Sequence, residues 1–295
     1  MIQVSLKFAR MIKFSHTLFA LPFALVAVLF IWRLNEISLN ATKVLYIVFA
    51  FTGMRSFAMG INRIADAEFD AKNPRTARRE IPSGLLNKKQ VWIFSFLSLI
   101  VLWVSAWLLH PLAFYLSFPA VVIVGGYSYS KRFTWLCHLW LGVAIGMAPL
   151  GVYIALSQKL PLEAWVLFVT LSAYISGFDI LYSLQDMQFD KNYNLRSIPS
   201  QLGENKAVII SALLHLITIA GVFYLGFILS MGAIYFTGSI VIAILIVSEH
   251  LIVGWGDKIK KDKIPVAFFN FNSIISISFF VFTLADMLLN RFNVI

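Results

Sequence analysis

Nine stretches of roughly 20 mostly apolar residues follow one another along the chain, each about as long as a helix that crosses a lipid bilayer. They run at about 14–32, 41–64, 88–109, 111–129, 137–157, 161–185, 205–227, 230–252 and 265–288. What lies between them is too short for a sizeable soluble domain. Only 13% of the 295 residues are charged, against about 25% in soluble domains. The expected architecture is an all-α integral membrane protein, with nine transmembrane helices in one bundle and a single domain over residues 1–295.

The charges that remain are unevenly placed. The first apolar stretch follows Lys7, Arg10 and Lys13. That order resembles a signal sequence, but the apolar run is long and no convincing small-residue cleavage site follows, so it reads as a retained first span. The net charge is +10, and eighteen of the 24 Lys and Arg residues fall on the side that holds the N-terminus. Arg33, Lys43, Lys159 and Arg291 fall on the other, and Arg55 and Arg63 lie within or at the end of the second span. By the positive-inside rule the N-terminus is cytoplasmic and the protein a multi-pass resident of the cell (inner) membrane. The basic excess is then topological. Membrane lipid is the expected surrounding partner, and nucleic acid is not expected.

Two polar segments interrupt the hydrophobic pattern on this cytoplasmic side, Asp66–Gln90 and Asp186–Lys206. They resemble each other: DAEFDAKN with a later IPSG, then DMQFDKN with a later IPSQ. They follow the second and sixth spans, an offset of four that preserves direction, as in a parallel internal repeat with its motifs related by a pseudo-two-fold axis. Other features read as packing. Cys137 is the lone cysteine, the five histidines (His16, His110, His138, His215, His250) show no ligand spacing, and Gly142 and Gly146 form a helix contact.

The polar segments begin with carboxylates at helical spacing. Asn62, Asp66 and Asp70 are four apart and share one helix face with Arg55, seven residues before Asn62. In the sixth span Asp179, Tyr182, Asp186 and Asp190 follow at intervals of three, four and four, and Asp179 lies inside the apolar stretch, where an ionisable group is costly and marks function by default. Like charges at i,i+4 destabilise a helix unless something neutralises them. Mg²⁺ does so with one or two carboxylates, phosphate oxygens and water. Two such pairs suit a metal-bound diphosphate, with Lys72, Arg75, Arg79, Lys131, Lys191 and Arg196 as cations nearby. For a single motif, carboxylates solvated at a helix end remain an alternative. The expected site is central and at the cytoplasmic face.

With these residues in view, the chain resembles the UbiA superfamily of intramembrane aromatic prenyltransferases over essentially its whole length. The family's N-x-x-x-D-x-x-x-D motif matches Asn62, Asp66 and Asp70, and its D-x-x-x-D motif matches Asp186 and Asp190. Its R-T-x-x-R and P-S-G elements match Arg75, Thr76, Arg79, Pro82, Ser83 and Gly84, and its Y-x-x-x-K element matches Tyr127 and Lys131. The resemblance implies a polyprenyl diphosphate donor held with Mg²⁺ by Asn62 and the four aspartates, with Tyr127 and Lys131 also in the catalytic set. Ionisation of the donor gives an allylic cation that an electron-rich aromatic ring attacks, in ubiquinone or menaquinone biosynthesis.

An aromatic acid acceptor, 4-hydroxybenzoate or a dihydroxynaphthoate, carries a carboxylate that a guanidinium can fork. Arg55 is expected there, together with Asp179 and Tyr182; an Arg55–Asp179 ion pair is the alternative. The stretch IKFSHTLFALPFA departs from the D-K-P-x-G pattern of many hydroxybenzoate enzymes and looks more like the menaquinone branch. Haem or a glycerol phosphate lipid as acceptor, or a secondary transporter, are the competing readings.

Overall fold

A computed structural model describes residues 2–12, 20–34, 40–266 and 270–292. Residues 13–19, with Lys13 and His16, lie outside the described residues, as do 267–269 of the last expected span. The described residues are mainly helical and contain no strand. The helices are α1 (Ile2–Met11), α2 (Leu21–Arg33), α3 (Ala41–Lys72), α4 (Lys88–Leu109), α5 (Pro111–Tyr127), α6 (Cys137–Ser157), α7 (Leu162–Ser183), α8 (Met187–Asn192), α9 (Ile198–Leu202), α10 (Glu204–Ile228), α11 (Ala233–Val253), α12 (Ile264–Val266) and α13 (Asn272–Phe292).

Among the described residues seven helices are long and apolar enough to cross a membrane: α3, α4, α6, α7 with its continuation to Asn192, α10, α11 and α13. Two of the nine expected spans are shorter helices, α2 with 13 residues and α5 with 17. At 1.5 Å per residue these reach about 20 Å and 26 Å, short of a hydrocarbon core of about 30 Å. Large apolar side chains such as Val122, Phe227 and Leu251 stand exposed on helix surfaces. In water such faces mark an interaction surface; here they suit lipid, and the chain is an integral membrane protein.

The chain divides into two compact units. One holds residues 1–17 and 40–130, the other 18–39 and 131–295. In the first, α3 packs along α4 and touches α5. Asn40 caps α3 by accepting from the Thr42 amide at 2.8 Å, and Asn87 and Gln90 form a capping box at the start of α4. Gly53 and Gly60 let the two helices approach: a Cβ at Gly53 would sit 2.7 Å from the Ser98 carbonyl oxygen, and one at Gly60 would meet Ser95 Oγ. Small residues at such contacts are how helices associate in lipid, where apolar burial gives no net drive. The charged lead-in expected before the first span is itself a helix, α1. Its Phe8 and Met11 pack with Leu86 and Val91, and Ile81 lies against the same cluster. This pins the loop after α3 to the base of the unit.

In the second unit α7 is the central helix. About two-thirds (67%) of its apolar window is buried, against 33% for α10, because α6 and α10 pack along its two sides. Gly142 and Gly146 make the expected helix contact: Cβ atoms there would run into Ser172 and Ser176 of α7. Tyr174 Oη donates to Asn272 Oδ1 at 2.7 Å, tying α7 to α13. Charges close the turn between α10 and α11. Arg33 donates to the Leu229 and Ser230 carbonyls, and Asp286 accepts from the Gly232 and Tyr235 amides, which complements both helix dipoles. The end of α7 is set by Ile180, Leu181 and Leu184, packed with Ile198, Ala207, Val208, Val253 and Ile264.

Candidate active site

In the first unit α3 continues unbroken to Lys72, so Asn62, Asp66 and Asp70 share the face that their spacing predicts. Asn62 Nδ2 donates to Asp66 Oδ2 at 2.9 Å, and its Oδ1 accepts from Arg63 Nη1 at 3.2 Å. Asp70 is buried, and Arg79 Nη1 donates to both of its oxygens at 2.8 and 2.9 Å. A turn brings Arg79 back. Asn73 ends the helix, its Oδ1 accepts from the Arg75 amide at 3.0 Å, and Thr76 Oγ1 donates to the Asp70 carbonyl at 3.1 Å. Lys72 and Arg75 are exposed at the rim. Arg55 is half-buried on the same face, about 10 Å before Asn62 by helix rise. Its Nε is sealed from solvent and has no hydrogen-bond partner among the described residues.

The second unit reaches a similar arrangement by a different path. The helix does not run straight into the motif: Leu184–Asp186 form a 3₁₀ turn between α7 and α8. The Leu184 amide donates to the Leu181 carbonyl three residues back, and Gln185 Nε2 donates to the Tyr182 carbonyl at 3.1 Å. Asp186 is half-buried and Asp190 buried. Lys131 Nζ lies 3.2 Å from Asp190 Oδ2. The turn carrying Lys131 is stapled in place, since its carbonyl accepts from the Arg196 amide at 2.7 Å and Arg196 Nη1 donates to the Phe133 carbonyl at 2.9 Å. Part of the Arg196 guanidinium is thus used structurally. Burial disfavours the Lys131 ammonium, but Asp190, and behind it Cys137, Asp186 and Asp179, outweigh burial and hold its pKa above the ordinary lysine value. Lys191 is exposed on α8. Tyr127, half-buried, ends α5 in the first unit, where its carbonyl accepts from Ser130 Oγ at 2.6 Å.

The second carboxylate of each motif is therefore buried beside a cation of its own unit, while Asp66 and Asp186 are half-buried. No cluster of three or more His, Cys, Asp or Glu side chains poised for a metal occurs among the described residues. The donor set still fits Mg²⁺, which takes hard oxygen ligands and needs only one or two carboxylates when phosphate and water complete the shell.

Two residues escaped the sequence reading. Arg63, counted there only as a charge outside the loops, sits beside Asn62. His138, taken as a packing residue, places Nδ1 2.6 Å from Asp179 Oδ2. The Asp179 carboxylate, set against Arg55 as one alternative, thus has its partner on α6. An ionisable group inside an apolar span was the signal for Asp179; nothing in the sequence pointed across 41 residues to His138.

Comparison with known proteins agrees with this chemistry. The UbiA prenyltransferase family matches residues 20–274. A 4-hydroxybenzoate octaprenyltransferase from Aliivibrio fischeri (strain MJ11) is 30% identical over 200 residues, 68% of this chain and 69% of that protein. The structure of a UbiA homolog from Aeropyrum pernix K1 superposes with a TM-score of 0.77 at 26% identity, covering 94% of this chain and 98% of that one. A UbiA homolog from Archaeoglobus fulgidus bound to DMAPP and Mg²⁺ gives a TM-score of 0.73 at 18% identity, covering 95% and 99%. A family match across most of the chain removes the transporter reading: this membrane protein belongs to the UbiA prenyltransferase family and is a prenyltransferase.

Proposed function

We propose that the protein transfers a polyprenyl group from its diphosphate to the ring of an aromatic acid, 4-hydroxybenzoate or a dihydroxynaphthoate, in quinone biosynthesis. The observation that carries this reading is the matched pair of motifs, each with a buried aspartate on a cation and a more open aspartate four residues before it. A solvated helix end needs neither cation nor burial. Asp66, Asp70, Asp186 and Asp190, with Asn62, would hold Mg²⁺, which when bound neutralises the charge that develops on the leaving diphosphate.

The chain's own cations take the remaining phosphate charge. Arg79 and Lys131 are held by buried carboxylates, while Lys72, Arg75 and Lys191 stand exposed and Arg196 keeps further N–H donors beyond the one on Phe133. Tyr127 belongs to the same side through its motif. Arg55 takes the acceptor carboxylate: its sealed, unpartnered Nε is the kind of donor that an anion satisfies. Asp179 and Tyr182 line the acceptor side. Residues 1–295 act as one domain, α2 and α5 join the seven longer helices as spans, and the basic excess puts the N-terminus and both motifs at the cytoplasmic face of the cell inner membrane.

The test is an acceptor panel. Purified protein in lipid nanodiscs receives Mg²⁺, geranyl diphosphate and, in turn, 4-hydroxybenzoate, 1,4-dihydroxy-2-naphthoate or 1,4-dihydroxy-6-naphthoate. A C-prenylated ring with one of them supports the reading and identifies the branch. Turnover with a glycerol phosphate lipid or haem, and with none of the three acids, overturns the acceptor class.

A further inference from the structure

Asp179 is oriented by a group that the reading above does not use. His138 stands on α6, packed against α7, with its side chain 1% exposed. A carboxylate has no proton to give, so the imidazole donates, and Nδ1 lies 2.6 Å from Asp179 Oδ2. On the other side of the ring, Ser183 Oγ lies 3.4 Å from Nε2. Ser183 is itself fixed by donating to the Ile180 carbonyl at 2.8 Å. The imidazole is thus hydrogen-bonded to Asp179 at one edge and packed against the Ser183 hydroxyl at the other, both on one helix face. Asp179 is not sealed: its side chain is 18% exposed, and its Oδ1 has no hydrogen bond among the described residues. One oxygen is clamped and the other is presented.

The location suits a role in acceptor activation. Asp179 sits seven residues before Asp186 on the same continuing segment, and its charge is felt by Lys131, the cation of the second motif. A purely structural buried pair would need no open oxygen, and an aspartate left free in an apolar span would be costly.

We propose that His138 is a positioning residue for Asp179, clamping Oδ2 so that Oδ1 accepts the ring hydroxyl proton of the aromatic acceptor. This rests on the acceptor class proposed above. In this step the acceptor O–H bond breaks and its proton passes to Oδ1. The oxygen's electrons enter the ring, and a ring carbon bonds to C1 of the prenyl group. The C1–O bond breaks, and its electron pair leaves on the diphosphate. Loss of the hydrogen from the substituted ring carbon restores aromaticity and returns a proton to the ring oxygen. One proton per bond formed remains on Asp179 and passes to water.

The experiment compares 4-hydroxybenzoate with a ring-fluorinated analogue whose hydroxyl is more acidic, at fixed geranyl diphosphate, in wild-type protein and in His138→Gln. Each loss is measured against wild type on the same acceptor, so the effect of fluorine on ring reactivity cancels. The account expects kcat for 4-hydroxybenzoate to fall by about 10- to 100-fold in His138→Gln, with donor KM within about twofold, and the loss to shrink to about threefold or less with the fluorinated acid. An unchanged kcat, or an equal loss on both acceptors, overturns the assignment and leaves His138 a packing residue. Asp179→Asn must show the same selective loss, which keeps the inference testable if His138→Gln does not fold. Where wild-type protein takes a dihydroxynaphthoate instead, the comparison is run with that acid and its ring-fluorinated analogue; wild-type protein that prenylates none of these acids overturns the functional reading itself.

Discussion

Each acidic motif ends in a buried aspartate neutralised by the chain's own cation, yet the two cations come from very different places. Asp70 draws on Arg79, nine residues along, through one turn closed by Asn73 and Thr76. Asp190 draws on Lys131, 59 residues away, on a turn held by the Arg196 amide. The first pairing is local and folds with the helix end that it serves. The second exists only once α6, α7 and α8 have packed. Similar chemistry in the two units therefore rests on different structural supports, and the supports fail differently.

The most severe way to probe the comparison leaves the cations alone. Asp66→Asn and Asp186→Asn each remove a half-buried carboxylate and should lower prenyl transfer by about 10²–10³-fold, with thermal unfolding in detergent close to wild type. Wild-type turnover in either variant would mean that its motif is not part of the site. Next comes Lys131→Met, which strands Asp190, whose side chain is 2% exposed. Removing one partner of a buried pair costs about 3–5 kcal/mol; partial exposure of Lys131 moves the expectation to the lower end of that range. Arg79→Gln should cost about 1–2 kcal/mol, because the turn at Asn73 survives and a glutamine amide can still donate. Unfolding midpoints that fall equally in the two variants would erase the distinction between local and remote support.

The pH dependence of the remote pair has a definite sign. The folded Lys131 pKa is raised, so the stability that this pair contributes is fully present below the ordinary lysine value of about 10.4. It is lost only as pH rises through the higher folded value. Between about pH 7 and 9 the stability gap between wild type and Lys131→Met should therefore stay constant; a gap that closes across this window would contradict the assignment. The smallest effect is expected for Lys191→Gln, an exposed side chain on α8, which should move stability by about 0.5 kcal/mol at most and show itself only in donor KM.

The same contrast between local and remote explains what could be read from the sequence. Spacing alone placed Asn62, Asp66 and Asp70 on one face of a helix that the structure carries to Lys72, and apolar length gave the helical membrane architecture. The second motif has the same spacing, but a 3₁₀ turn at Leu184–Asp186 separates it from α7, and periodicity is blind to a change of pitch over three residues. The two IPS segments also part company. Ile198 begins α9, with Ser197 and Ser200 in a capping box, whereas Ile81–Gly84 stays in turns that end at Gly84, with φ of 74°. His138 was out of reach because α6 and α7 meet through glycines and serines, a packing choice that fixes which histidine faces which aspartate and leaves no periodic trace. Helix α1 was missed because its charges read only as the lead-in to a first span, while Phe8 and Met11 do the packing.

The central claim is that the aspartate motifs act on a metal-bound prenyl diphosphate whose departure is coupled to carbon–carbon bond formation. It is tested most directly by following diphosphate release and ring prenylation together in nanodiscs, with Mg²⁺, after removal of divalent ions with EDTA, and after Mg²⁺ is restored. The account predicts that the two products appear in equal amounts, vanish together in EDTA and return together with Mg²⁺. Prenylation at the full rate in EDTA, or diphosphate released with Mg²⁺ and no prenylated ring from any aromatic acid, would contradict it.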